Sequence, residues 1–204
     1  MNQNLKSLEK ELRNFAKRCK NVKYTKALLL SFLMSGVLSF GVASPKKGEL
    51  DSIKRLLDLG VKRCILGTKA LNDPDFVLSA IKEFGDESIV VGIDAKDGKV
   101  ATHGWEKVSK TDAESLAIKM KEAGVKHIVF TDISRDGMLS GVNVSATAKL
   151  TKMTDIEIIA SGGVGDMNDL KLLENAGVRG AIIGKALYEG RINLREAIEI
   201  FEGD

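Results

Sequence analysis

The stretch that decides the fold is Ser88–Trp105, SIVVGIDAKDGKVATHGW. It opens on an apolar, β-branched run and reaches an acid, Asp94, where that run ends. Two later stretches repeat the arrangement: HIVFTDISRDG at 127–137 and IEIIASGGV at 156–164. A helical pattern follows each. Runs that are apolar on both faces read as strands covered on both sides, and their alternation with helices makes the sheet parallel. Acids, a hydroxyl and paired glycines then stand at the carboxyl ends of successive parallel strands, where β/α folds place their chemistry.

The same alternation extends outward. LDSIKRLLDLG, 50–60, reads as an amphipathic helix closed by Gly60. DPDFVLSAIKEFG, 73–85, is a helix with Pro74 near its start and Gly85 at its end. Thr111 and Glu114 have the spacing of a capping box before a helix that ends at Gly124. SATAKLTKM, DMNDLKLLENAG and NLREAIEIF are further helices, with Asp166 as a cap and Asn193 and Glu196 in a second capping-box relation. Strands are predicted near 63–67, 88–94, 127–132, 156–160 and 179–183. A complete eight-stranded barrel takes about 250 residues. The fold class is therefore α/β, with about five parallel βα units; that they are a partial (β/α)8 barrel is what the family resemblance given below implies.

Composition is that of a globular protein: 204 residues, 44% apolar, 29% charged, net charge +3. The charge is uneven. Up to Lys26 there are eight Lys or Arg and two Glu, a net of +6, which leaves −3 on the rest. The basicity belongs to an arm, so it gives no support to nucleic-acid binding by the body. The two cysteines make no disulfide framework, no Cys/His cluster has metal spacing, and Cys64 in RCILG reads as a buried small hydrophobe. His127 reads as a residue that begins a strand rather than as a ligand or base.

Residues 1–43 read as a separate, basic, signal-like leader before a barrel domain at 44–204. Leu5, Leu8, Leu12 and Phe15 make a narrow apolar stripe. Ala27–Ala43, ALLLSFLMSGVLSFGVA, is uncharged and short for a bilayer span. Basic region, apolar region and small residues near Ala43 are the anatomy of a signal peptide, with a helix packed on the body as the alternative. The run LKSLEKELRNFAKRCKNVKYTKALLLSFLMSG resembles the leader of large autotransporter-type surface proteins of fusobacteria.

Four motifs in order, GIDAKDGKVATHGW, TDISRDGMLSGVN, IASGGV and GKALYEGR, resemble the ProFAR isomerases of histidine biosynthesis. The resemblance covers the carboxyl-terminal two-thirds of that family, from about Leu50 to Phe201. The cyclase subunit that makes imidazole glycerol phosphate shares the fold and glycines, but KVATHGW and GKALYEG favour the isomerase. The resemblance implies a β/α barrel performing an Amadori rearrangement, aminoaldose to aminoketose, with no cofactor and no metal. Asp94 would be the general acid, with Thr131 and Asp136 supporting or orienting substrate beside it. Trp105 would stack on the planar imidazole carboxamide. Ser161, Gly162 and Gly163, with Gly184 and Lys185, would hold one phosphate of a bis-phosphorylated ribotide. Gly67 and Thr68 would form part of the opposite phosphate site.

The resemblance has no counterpart here for the family's first strands, its first catalytic Asp, or the glycine-rich strand end of the second phosphate site. Three readings stay open: an isomerase, weakly active or inactive if truncated; a non-catalytic fusion or fragment; and an exported phosphate-sugar binder. The family implies a cytoplasmic enzyme, and the leader, if used, implies export. Unpaired sheet edges would invite self-association.

Overall fold

The computed structural model describes residues 47–201. The leader readings, Cys19 included, lie outside the described residues. Helix α1 (Lys47–Asp58) precedes strand β1 (Cys64–Leu66), then α2 (Thr68–Asn72) and α3 (Pro74–Phe84). Strand β2 (Ile89–Lys96) runs into a hairpin of β3 (Lys99–Thr102) and β4 (Lys107–Asp112), and α4 (Ala113–Glu122) follows. The rest alternates: β5 (His127–Asp132), α5 (Val144–Thr154), β6 (Glu157–Ser161), α6 (Met167–Asn175), β7 (Gly180–Ala181), α7 (Lys185–Tyr188) and α8 (Leu194–Phe201).

The five expected strands form, and they pair in parallel in the order β1-β2-β5-β6-β7. That is the sequential order in which a β/α barrel winds. The hairpin is an addition to the strands predicted from the sequence. β3 adds antiparallel to the end of β2, with Ala95 opposite Val100, and β4 adds antiparallel to β3. Asp97 and Gly98, both at positive φ, make its turn, and an Asp-Gly pair is a strong two-residue hairpin signal. The hairpin also cancels the expected capping box. Thr111 is spent in β4, Asp112 takes the N-cap position without a side-chain bond, and α4 starts at Ala113.

Other helix boundaries form as the residues direct. Asp73 accepts from Phe76 N at 3.2 Å ahead of Pro74. Asp166 accepts from Asn168 N and Asp169 N. Asn193 accepts from Arg195 N and Glu196 N. Lys69, almost covered, pairs with Glu49 and Asp73 at 3.0 Å each and so ties α1 to the α2–α3 corner.

Register separates the two faces of the sheet. Ile89, Val91, Ile93 and Ala95 of β2 pack with Ile128, Phe130, Ile158 and the helices in the larger core. Val90, Val129 and Ile159 make a second, smaller cluster on the other face. Pairing puts Val90, His127 and Glu157 in one row on that face, then Gly92, Val129 and Ile159, then Asp94, Thr131 and Ser161. Cys64 is buried as expected, and burial pushes its thiol up to about 11. His127 does begin a strand, buried, with Nε2 3.0 Å from Glu87 and Nδ1 3.3 Å from Glu157. Arg63 joins this cluster through Glu87 at 3.2 Å.

Candidate active site

The topmost row, Asp94–Thr131–Ser161, lies at the carboxyl ends of three neighbouring parallel strands. Side chains alternate along a strand, so all three project from the face that carries Val90, Val129 and Ile159, away from the helix layer. Thr131 and Ser161 are buried and Asp94 is half-buried.

The hairpin brings Trp105 onto this row. Its indole Nε1 donates to Asp94 Oδ2 at 2.8 Å. His103, Gly104 and Trp105 all have positive φ, +56°, +64° and +74°. Two non-glycine residues among three consecutive ones in that region are uncommon, and such strain gathers at functional loops. His103 N donates to Thr68 Oγ1 at 3.3 Å, so the hairpin also touches the Gly67–Thr68 turn.

Asp136 sits on the loop between β5 and α5, half-buried. Burial pushes its carboxyl above the ordinary range, and the neighbouring charge of Asp94 pushes the same way. Two carboxylates that share a site resist ionising together, so one retains its proton more readily.

Gly162 and Gly163 form the turn after β6 with φ of +85° and +90°. A Cβ on Gly162 would lie 2.6 Å from the Asp132 carbonyl oxygen, and one on Gly163 would lie 2.5 Å from that of Gly141. Conformation and space both demand glycine here. Gly184 precedes the short helix α7, and Lys185 Nζ reaches the Gly137 carbonyl at 3.4 Å. Gly67 precedes α2 in nearly the same backbone state, φ −93° and ψ −109° against −101° and −106° at Gly184. The turns at Gly67 and Gly184 thus share a backbone form, closed by Ala70 N on the Gly67 carbonyl at 2.8 Å and by Leu187 N on the Gly184 carbonyl at 3.0 Å.

Every candidate site residue named from the sequence therefore belongs to one end of the parallel strands. The sequence reading missed Asp132, Arg135 and Asn143, which lie behind that end. They line a hollow of about 290 Å³ with Ala95, Phe130 and Ala146. It opens on the helix side of the sheet, and Asp94, Thr131 and Ser161 do not line it. Their signal was available: Asp132 shares the parity of Phe130, a core position, and a carboxylate there needs partners.

Parallel βα units in winding order, with acids, hydroxyls and glycine turns at their carboxyl ends, define a partial β/α barrel. The chain belongs to the family described as histidine biosynthesis protein, whose sequence model matches residues 11–193. It is 54% identical over 153 residues to a 1-(5-phosphoribosyl)-5-((5-phosphoribosylamino)methylideneamino) imidazole-4-carboxamide isomerase of Lachnoclostridium phytofermentans, covering 75% of this chain and 64% of that one. It is 46% identical over 179 residues to the enzyme of the same name from Desulfitobacterium hafniense, covering 85% and 71%. With the one from Novosphingobium aromaticivorans the identity is 43% over 192 residues, covering 93% and 77%. The chain thus spans about two thirds to three quarters of the length of these relatives.

Proposed function

We propose that this chain carries the carboxyl-terminal two-thirds of an aldose–ketose isomerase acting on ProFAR, the bis-phosphorylated aminoaldose that its relatives' names describe. The observation that carries this reading is the Asp94–Thr131–Ser161 row, with Asp136 close enough to feel the charge of Asp94.

An Amadori rearrangement moves only protons. A general acid protonates the ribose ring oxygen, the ring opens to an iminium, and a base removes the proton from the adjacent carbon. The resulting enolamine becomes the aminoketose when a proton returns to the imine carbon, so no cofactor is required. The raised carboxyl of Asp136 suits the proton-holding role. Asp94, whose Oδ2 accepts from Trp105, suits the carboxylate role of a base or of a charge that steadies the iminium. Thr131, beside Asp94 in the row, would orient the substrate hydroxyls. The sequence reading gave the acid role to Asp94, and the electrostatics favour sharing it between the pair.

The two phosphates would take the opposed glycine turns. Gly162, Gly163, Gly184 and Lys185 supply one cradle, and Gly67 with Thr68 supplies part of the other, through backbone N–H groups that glycine leaves approachable. Trp105 would leave Asp94 and stack on the imidazole. We take 44–204 as the functional unit and 1–43 as an arm, with the enzyme working in the cytoplasm. Among the described residues no helix is long and apolar enough to cross a membrane.

Steady-state turnover of ProFAR by the full chain tests this reading. Asp94→Asn and Asp136→Asn should each lower kcat about 10²–10⁴-fold, the contribution of a positioned acid or base. Wild-type turnover that neither substitution alters would refute the site. A chain that binds ProFAR without turning it over would instead favour a phosphate-sugar binder, and the glycine turns favour that second reading.

A further inference from the structure

Asp132 follows Thr131 in β5 and, by strand alternation, points behind the sheet while Thr131 points into the site. Its side chain is buried and fully engaged. Oδ1 accepts from Ser134 N at 3.1 Å and from Ser134 Oγ at 2.6 Å. Oδ2 accepts from Asn143 Nδ2 at 2.7 Å, with Arg135 Nε 3.5 Å away. Ser134 stands at the start of the loop that carries Asp136, and Asn143 stands at its end. One carboxylate therefore pins both ends of that loop. Asn143 is also the N-cap of α5, accepting from Ala146 N at 3.2 Å, so the far end is fixed to a helix.

Arg135 carries the tie onward. Its guanidinium donates to the Gly141 carbonyl at 3.0 Å. Gly141 N in turn donates to the Gly163 carbonyl at 3.1 Å. The Cβ direction of Gly163 runs into Arg135 Cβ at 2.9 Å, so the side chain packs under the turn. The Asp132 main-chain carbonyl lies under Gly162 in the same way. Acid loop and glycine turn are thus one unit, and its centre is a residue outside the site.

We propose that Asp132 is a positioning residue: from behind the sheet it holds Asp136 and the Gly162–Gly163 turn in register with each other, without touching substrate. The proposal rests on the reading of Asp136 and the turn as working parts of an isomerase. Burial opposes the charge of Asp132, but the bonds from Ser134 and Asn143 and the charge of Arg135 outweigh it and hold the carboxyl below the ordinary range. It stays ionised wherever an isomerase would work. A substitution that keeps its size but offers N–H where Asn143 already offers N–H opens the clamp.

The experiment compares the full chain with Asp132→Asn and with the swap Asp132→Asn/Asn143→Asp, which rebuilds an N–H···O bond of opposite polarity and keeps a good N-cap. Amide hydrogen exchange is followed at 133–143 and 162–165, and the Asp136 carboxyl is titrated by carbon NMR. In the single variant exchange rises at least tenfold in both segments together, and the Asp136 midpoint falls toward the ordinary range. The swap restores both. In turnover of ProFAR, kcat falls about 10²-fold in the single variant, the scale of a reacting group misplaced by about 1 Å, and recovers in the swap. If the single variant does not fold, Arg135→Gln, which removes only the outer link, must raise exchange in both segments. Exchange confined to 133–143, or an Asp136 midpoint that does not move, overturns the proposal. Absence of turnover in the wild type counts against the isomerase reading alone, because exchange and titration still decide the role of Asp132.

Discussion

Gly163→Ala is the sharpest stability test of the site's construction. The new methyl carbon would stand 2.5 Å from the Gly141 carbonyl oxygen and 2.9 Å from Arg135 Cβ, at a residue whose φ is +90°. The left-handed conformation costs an L-residue about 1–2 kcal/mol. Overpacking adds about 1–3 kcal/mol. Loosening the Gly141–Gly163 bond removes about 1 kcal/mol more. The expected loss is about 3–6 kcal/mol, a large part of the ~5–15 kcal/mol that holds a domain together. Gly177→Ala is the control: φ is +81° there and nothing lies within 4 Å of the new carbon, so only the conformational cost of about 1–2 kcal/mol applies. Urea unfolding of the full chain reads the difference. With a slope of about 1–3 kcal/mol per molar, the two midpoints should differ by about 1 M. Equal losses, or a larger loss at Gly177, would show that the Gly163 turn relaxes freely and that its packing against the acid loop is not tight.

Asp136→Asn should stabilise the chain at neutral pH while lowering turnover about 10²–10⁴-fold. A carboxyl raised by burial and by Asp94 contributes stability below its unfolded pKa and loses it as pH rises through the folded value; equal thermal midpoints at pH 7 would contradict this. Glu87 behaves oppositely. Contact with His127 and then Arg63 lowers its carboxyl, so its contribution is present above the unfolded value of about 4.3 and is lost as pH falls through the folded one. Glu87→Gln should flatten the acid limb of the stability profile, and an unchanged limb refutes the link. The amine of Lys69 is raised because bonds to Asp73 and Glu49 outweigh burial, so its contribution holds below about 10.4 and is lost as pH rises through the folded value. Lys69→Met should free α1, seen as faster amide exchange over 47–58; unchanged exchange there would remove Lys69 as the tie.

The legible part of the fold was the part dictated by long apolar runs. IVVGID, HIVFTD and EIIAS could not be amphipathic helices at that length and composition, and the punctuation of Gly60, Pro74 and Gly85 marked where the helices lie. The hairpin escaped because KDGKVATHGWEKVSK is polar on its open face, so alternation is weak and the Asp97–Gly98 pair was its only firm signal. The Thr111–Glu114 spacing misled for the same reason: a capping pattern is local, and the pairing of β4 with β3 took Thr111 first. Within the site, residues that face substrate were legible as strand-end acids and glycines. Asp132 was legible only as a carboxylate at a core parity, because what makes it matter is a partner set at 134, 135 and 143 that only the folded loop assembles.

Trp105 has a practical consequence. It is the single tryptophan of the chain, and its ring nitrogen is bonded to Asp94. Excitation near 295 nm therefore isolates one fluorophore, ~3 Å from the group proposed to do chemistry. The protein carries its own optical reporter. Stopped-flow emission would time the arrival of a phosphorylated ligand, and polarisation would separate the docked indole from the released one, with no dye or label added.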